Sequence, residues 1–142
     1  MRYGIAEIVN KAVDMAEKED KVAWLVKNDS PSLRIILRII YDGENVTLLL
    51  PNTPPPWKKN GYPDNHQLLV REARKMKIFI KGGGYDHLNQ AKRENLYIKL
   101  MEDCDDEDAE LLAKLVRQKP IRGLPRSVVY EAFPTLNETK LF

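Results

Sequence analysis

The run Ser30 to Gly43, SPSLRIILRIIYDG, leaves a folding chain little choice. Ser30 offers a side-chain oxygen to the free amides of a helix start, and Pro31 suits the first helical position. Asp42-Gly43 supplies the stop. Between them Leu33, Ile35, Ile36, Leu37, Ile39 and Ile40 cover most of the circumference, and only Arg34 and Arg38, four apart, mark a polar face. A helix apolar nearly all round is stable in water only when other elements surround it. The spacing therefore predicts a central core helix. With 142 residues, 43% of them hydrophobic and 31% charged, the chain suits one domain with an ordinary core.

The rest of the chain supplies the surrounding helices. Ile5, Ile8, Val9, Ala12, Val13 and Ala16 fall at helical spacing and predict an amphipathic helix to about Glu19, and Lys21 to Lys27 reads as a second, short one. Val46 to Leu50 is either a short strand or an extended core segment. The following PNTPPPWKKNGYPDN holds five of the nine prolines, a density that denies helix and ladder bonding, so an irregular loop is expected with Trp57 and Tyr62 packed on the body. One helix is predicted from about Asn65 to Lys81, stopped by Gly82-Gly83-Gly84. Asp86 can cap the next, which runs to Met101. Asp105 or Asp106 starts another, and Arg126 to Ala132 forms the last. The expectation is an all-α, compact multi-helix domain of six to seven helices over residues 1–136, with one short extended segment, a Pro-rich loop and a loose tail at 137–142.

Catalytic and metal chemistry find no support in this pattern. The acidic run from Glu102 to Asp108 lacks the glycine of a calcium loop and suits a helix start. Cys104 is the single cysteine, and His66 and His87 stand apart, so neither a disulfide, a zinc set nor a nucleophile–base pair is proposed. Lys81-Gly-Gly-Gly-Tyr85 lacks the lysine–serine/threonine ending of a nucleotide loop. The charged N-terminal stretch does not read as a signal peptide, and no apolar run is long enough for a bilayer. The expectation is a cytoplasmic protein without cofactor, membrane partner or enzymatic activity.

Net charge is only +2, so position matters more than amount. Arg71, Arg74 and Lys75 share a predicted helix face, with Lys77 and Lys81 near and Lys92-Arg93 at the start of the next helix. Arg117, Lys119, Arg122 and Arg126 gather across the last two helices and their link, while acids collect at 14–20 and 102–110. That asymmetry fits a domain with one phosphate-facing side.

Two stretches carry a family likeness. Residues 21–51, KVAWLVKNDSPSLRIILRIIYDGENVTLLLP, and 105–136, DDEDAELLAKLVRQKPIRGLPRSVVYEAFPTL, resemble the beginning and end of the helical DNA-binding domain of ATP-dependent DNA ligases from T-even-type bacteriophages. The chain as a whole looks similar to small proteins of such phages. The resemblance implies a stand-alone module gripping duplex DNA through phosphates, in replication, repair or recombination inside an infected bacterial cell. Its phosphate-contacting link would correspond to Ile121, Arg122, Gly123, Leu124, Pro125, Arg126 and Ser127. Gly123 would allow close backbone approach, and Arg122 and Arg126 would supply charge. The alternative is a helix–turn–helix corner that packs Leu124 and Val128. The ligases' lysine-x-aspartate-glycine motif is missing, since Ile40-Tyr41 precedes Asp42-Gly43, so sealing is excluded.

A second expectation belongs to another class: a protein-interaction adaptor, or an inhibitor, on the same scaffold. The tail NETKLF has the acidic-then-hydrophobic character of peptides that dock on sliding clamps, with Leu141 and Phe142 as the contacts to a clamp or polymerase.

Overall fold

A computed structural model describes residues 3–59 and 67–142. Seven α-helices order the described residues: α1 Ile5–Asp14, α2 Lys18–Lys27, α3 Pro31–Tyr41, α4 Leu68–Glu72, α5 Gln90–Asp103, α6 Asp106–Leu115 and α7 Arg126–Ala132. No sheet forms among them. The fold is all-α and compact.

Helix α3 sits at the centre, as its composition demands. Leu33, Ile36, Leu37, Ile39 and Ile40 are each 0% exposed. Ser30 caps it by accepting from the Leu33 amide at 3.1 Å, with Pro31 in the first turn. α4, α6 and two 3₁₀ segments, Ala73–Phe79 and Leu136–Glu138, pack against it, α1 lies between α2 and α6, and α7 lies on α2. The two arginines of the polar face fasten the end of the chain. Arg34 forms a two-pronged pair with Asp29 at 2.7 and 2.8 Å and stacks on the Phe133 ring, 4.8 Å from its centroid. Arg38 bonds Asp42 at 3.1 Å and donates to the Thr139 carbonyl at 2.7 Å.

Several boundaries differ from the sequence-based expectation. α1 stops at Asp14, and α2 starts at Lys18. The helix expected over 65–81 is α4 followed by 3₁₀ turns from Ala73 to Phe79, and its first residues, with Tyr62 and His66, lie outside the described residues. Residues 46–50 form no strand and meet the next segment in one antiparallel bridge, Leu48 with Ile80, flanked by Leu49 N to Phe79 O at 2.7 Å and Lys81 N to Thr47 O at 2.9 Å. Asn89, not Asp86, caps α5; the Asp86 carboxylate accepts instead from the Gly82 amide at 3.0 Å. The tail is docked where a loose end was expected. Leu136 is 0% and Leu141 9% exposed, so the single core runs from Ile5 to Leu141.

Candidate nucleic-acid interface

The α6–α7 link concentrates basic side chains on a held stretch of backbone. After α6 the chain turns at Gln118 (φ 48°) and again at Gly123 (φ 87°). Arg117, Lys119, Arg122, Arg126 and Ser127 are exposed around these turns, while Ile121 and Leu124 point into the core. The side chains of Arg117, Lys119 and Arg122 make no ion pair or hydrogen bond with the described residues. Arg126 donates one guanidinium hydrogen to the Tyr41 carbonyl and leaves the remainder of its fork at the surface.

Three buried or half-buried side chains fix this link. The Tyr41 hydroxyl donates to Leu124 O at 2.6 Å and accepts from Ile121 N at 3.1 Å. Burial pushes its phenol up to about 12, so it remains a neutral donor near neutral pH. Gln118 donates from Nε2 to Ile39 O at 3.0 Å and Val46 O at 2.9 Å, tying the left-handed turn to α3 and the extended segment. Lys21 Nζ donates to Gly123 O at 2.6 Å and to Ala12 O and Val13 O at 3.1 Å each.

Gly123 is required for a reason other than the one its sequence context implies. A Cβ there would lie 2.8 Å from Val13 Cγ1, so the missing side chain makes room for α1 and not for a ligand. The left-handed φ adds a second demand for glycine.

The other expected residues divide. Arg71, on α4, and Arg74, in the following 3₁₀ turns, are exposed and without an ion-pair partner among the described residues, whereas Lys75 pairs with Glu72 at 2.8 Å. Lys92 is exposed at the start of α5. Arg93 cannot serve: it is 4% exposed, and its guanidinium donates to Tyr85 O, Asp86 O and Leu88 O at 3.1 to 3.2 Å and to Gln90 Oε1 at 2.6 Å. It organises the loop before α5, which is why its charge faces carbonyls. Its place on the inner face was legible, because Arg93, Tyr97 and Met101 recur every four residues. The α4 patch packs on α3, whereas the link lies against the C-terminal end of α3, α1 and α2, so the two basic groups are carried by different elements.

The clamp-docking expectation meets a direct obstacle. Leu141 is part of the core, and only Phe142, 53% exposed, is free to meet a partner. Cys104 is fully buried, and burial followed by the nearby Asp108 carboxylate raises its thiol well above the ordinary range, so it is a poor nucleophile. Among the described residues no helix is long and apolar enough to cross a membrane.

Residues 8–122 match a protein family described as a family of unknown function (DUF6433). No curated protein and no solved structure matches the chain.

Proposed function

The chain belongs to this family of unknown function, and from the link between α6 and α7 we propose that it binds duplex DNA through backbone phosphates, without catalysing a reaction. The observation that carries the proposal is the set Arg117, Lys119, Arg122 and Arg126: exposed, close along the chain, in no ion pair among the described residues, and borne on backbone pinned from behind. Unpaired cations release counterions from a phosphate track and gain affinity without reading bases. Surface arginines that wander would lose much of that gain to side-chain ordering.

A double strand suits this surface better than a single one. Single-strand sites stack bases on exposed aromatic rings. Here the neighbouring Phe133 is 1% exposed, and Tyr130 is half-buried with its hydroxyl bonded to Asn137 at 2.7 Å. The likeness to the ligase DNA-binding domain agrees with duplex binding and adds the setting, an accessory protein of phage replication, repair or recombination.

The test is fluorescence polarisation with a labelled duplex at low salt. Arg117→Glu with Arg122→Glu, both lacking protein partners, should abolish binding while leaving thermal unfolding unchanged. Unaltered affinity in that double variant would refute the proposal.

A further inference from the structure

The backbone of the corner Ile121–Leu124 is polarised. Three of its four carbonyls are occupied by donors: Ile121 O takes the Leu124 amide at 2.9 Å, Gly123 O takes Lys21 Nζ at 2.6 Å, and Leu124 O takes the Tyr41 hydroxyl at 2.6 Å. The amides of Arg122 and Gly123, by contrast, meet no acceptor among the described residues, and both residues are exposed. Exposed amide donors on successive residues, with the carbonyls on either side of the turn occupied, form a surface that favours anions. The Lys21 ammonium has three hydrogens, and three carbonyls receive them, Ala12 O, Val13 O and Gly123 O. No donor remains for a ligand. Lys21 therefore joins the C-terminal end of α1, the side of α2 and the link at one point.

We infer that Lys21 is a positioning residue: it ties the Gly123 carbonyl to the end of α1 so that the Arg122 and Gly123 amides, together with the Arg122 guanidinium, face a DNA phosphate. This rests on the duplex-binding reading given above. Lys21 acts through the corner and does not touch the nucleic acid. That role separates it experimentally from Arg122, because each lost phosphate contact reduces the dependence of log affinity on log salt by about one unit, whereas a displaced corner weakens binding without changing the number of phosphates neutralised.

The experiment compares Lys21→Met, Arg122→Gln and Lys27→Met, the last removing an exposed charge from the same helix. Amide exchange of Leu124 is followed in the free protein, and duplex affinity is titrated across salt concentration. Lys21→Met should speed Leu124 exchange and lower affinity about tenfold, the order seen when a group that orients a contacting group is removed, with the salt slope kept. Arg122→Gln should lower the slope by about one unit with Leu124 exchange unchanged, and Lys27→Met should change neither. Unchanged exchange in Lys21→Met, or a slope loss equal to that of Arg122→Gln, overturns the inference. If Lys21→Met unfolds at the assay temperature, Lys21→Arg takes its place. Its planar fork keeps the charge but cannot direct three hydrogens at the same three carbonyls, so intermediate affinity at full slope is expected and wild-type values count against the inference. Absence of duplex binding by the unaltered protein would refute the proposed function and the phosphate role with it. Faster Leu124 exchange in Lys21→Met would then still show that Lys21 holds the corner, which distinguishes the two failures.

Discussion

At the scale of single residues, the link depends on what is missing at position 123. Alanine there would face two costs at once: a left-handed φ of 87° and a Cβ only 2.8 Å from Val13 Cγ1. Each such strain is of order 1 kcal/mol or more, so Gly123→Ala should lose about 2–3 kcal/mol in urea unfolding. A double-mutant cycle with Val13→Ala separates the two terms, since trimming Val13 relieves the overlap but not the φ. A coupling energy near zero would show that the contact with α1 is not what requires glycine. Other residues show how far the sequence could be read. Ser30 and Asp105 act as caps, as their positions before apolar helices imply. Arg93 sits beside the exposed Lys92 in the sequence, but its spacing to Tyr97 and Met101 puts it on the inner face. Lys21 carried no signal at all. Its partners are carbonyls, which no side-chain pattern reveals, and one of them lies 102 residues away.

Among the elements, the joint between α1 and α6 has an unusual chemistry. The N-cap of α1 is Gly4, which has no side chain to offer the free amides. Asp108, from the first turn of α6, accepts from the Ala6 amide at 2.9 Å in its place. The residue is 1% exposed and its Oδ2 has no partner. Burial, then the carboxylates of Asp105, Glu107 and Glu7, push it up to about 7 against the opposing Ala6 hydrogen bond. A carboxyl raised on folding contributes stability that is complete below its unfolded pKa, near 3.8, and is lost as pH rises through about 7. The protein should therefore weaken between pH 5 and pH 8 by about 2–3 kcal/mol, at 1.36 kcal/mol per unit for the two units below about 7. Asp108→Asn keeps an acceptor for Ala6 and removes the titration, so its urea midpoint should stay level across that range. Parallel pH profiles for the two proteins would sink this account. The acidic run looked like helix capping throughout, and Asp105 does cap α6; Asp108 stands apart because it shares the inner face of Leu111, Leu112 and Leu115. Similarly, Ala73, Met76 and Phe79 repeat every three residues, a 3₁₀ spacing hidden within a pattern that also suits an α-helix.

Across the whole molecule, the charge distribution would give the proposed binding a direction. α6 begins among Asp105, Asp106, Glu107 and Glu110 and ends at Lys114, ahead of Arg117 and Lys119, so charge and helix dipole agree along its length. A polyanion is drawn to the basic end and repelled from the acidic one. The central apolar helix and the enclosing shell were legible because α3 allows no other solution, but whether distant cations share a surface depends on packing that no local pattern encodes. Arg71, Arg74 and Lys92 lie on α4, its 3₁₀ continuation and α5, apart from the link. Contact through the link alone engages three to four phosphates, Arg126 being partly occupied by Tyr41 O. At about 0.9 per phosphate, log affinity against log salt should then fall with a slope of roughly −3 to −3.5. Participation of Arg71, Arg74 and Lys92 would bring it to about −6. The shallower slope is expected, together with an unchanged value in Arg71→Gln/Arg74→Gln. A steep slope that this double variant reduces by about two units would mean that both basic groups meet the same duplex, and that the DNA lies across α3 as well as along the link.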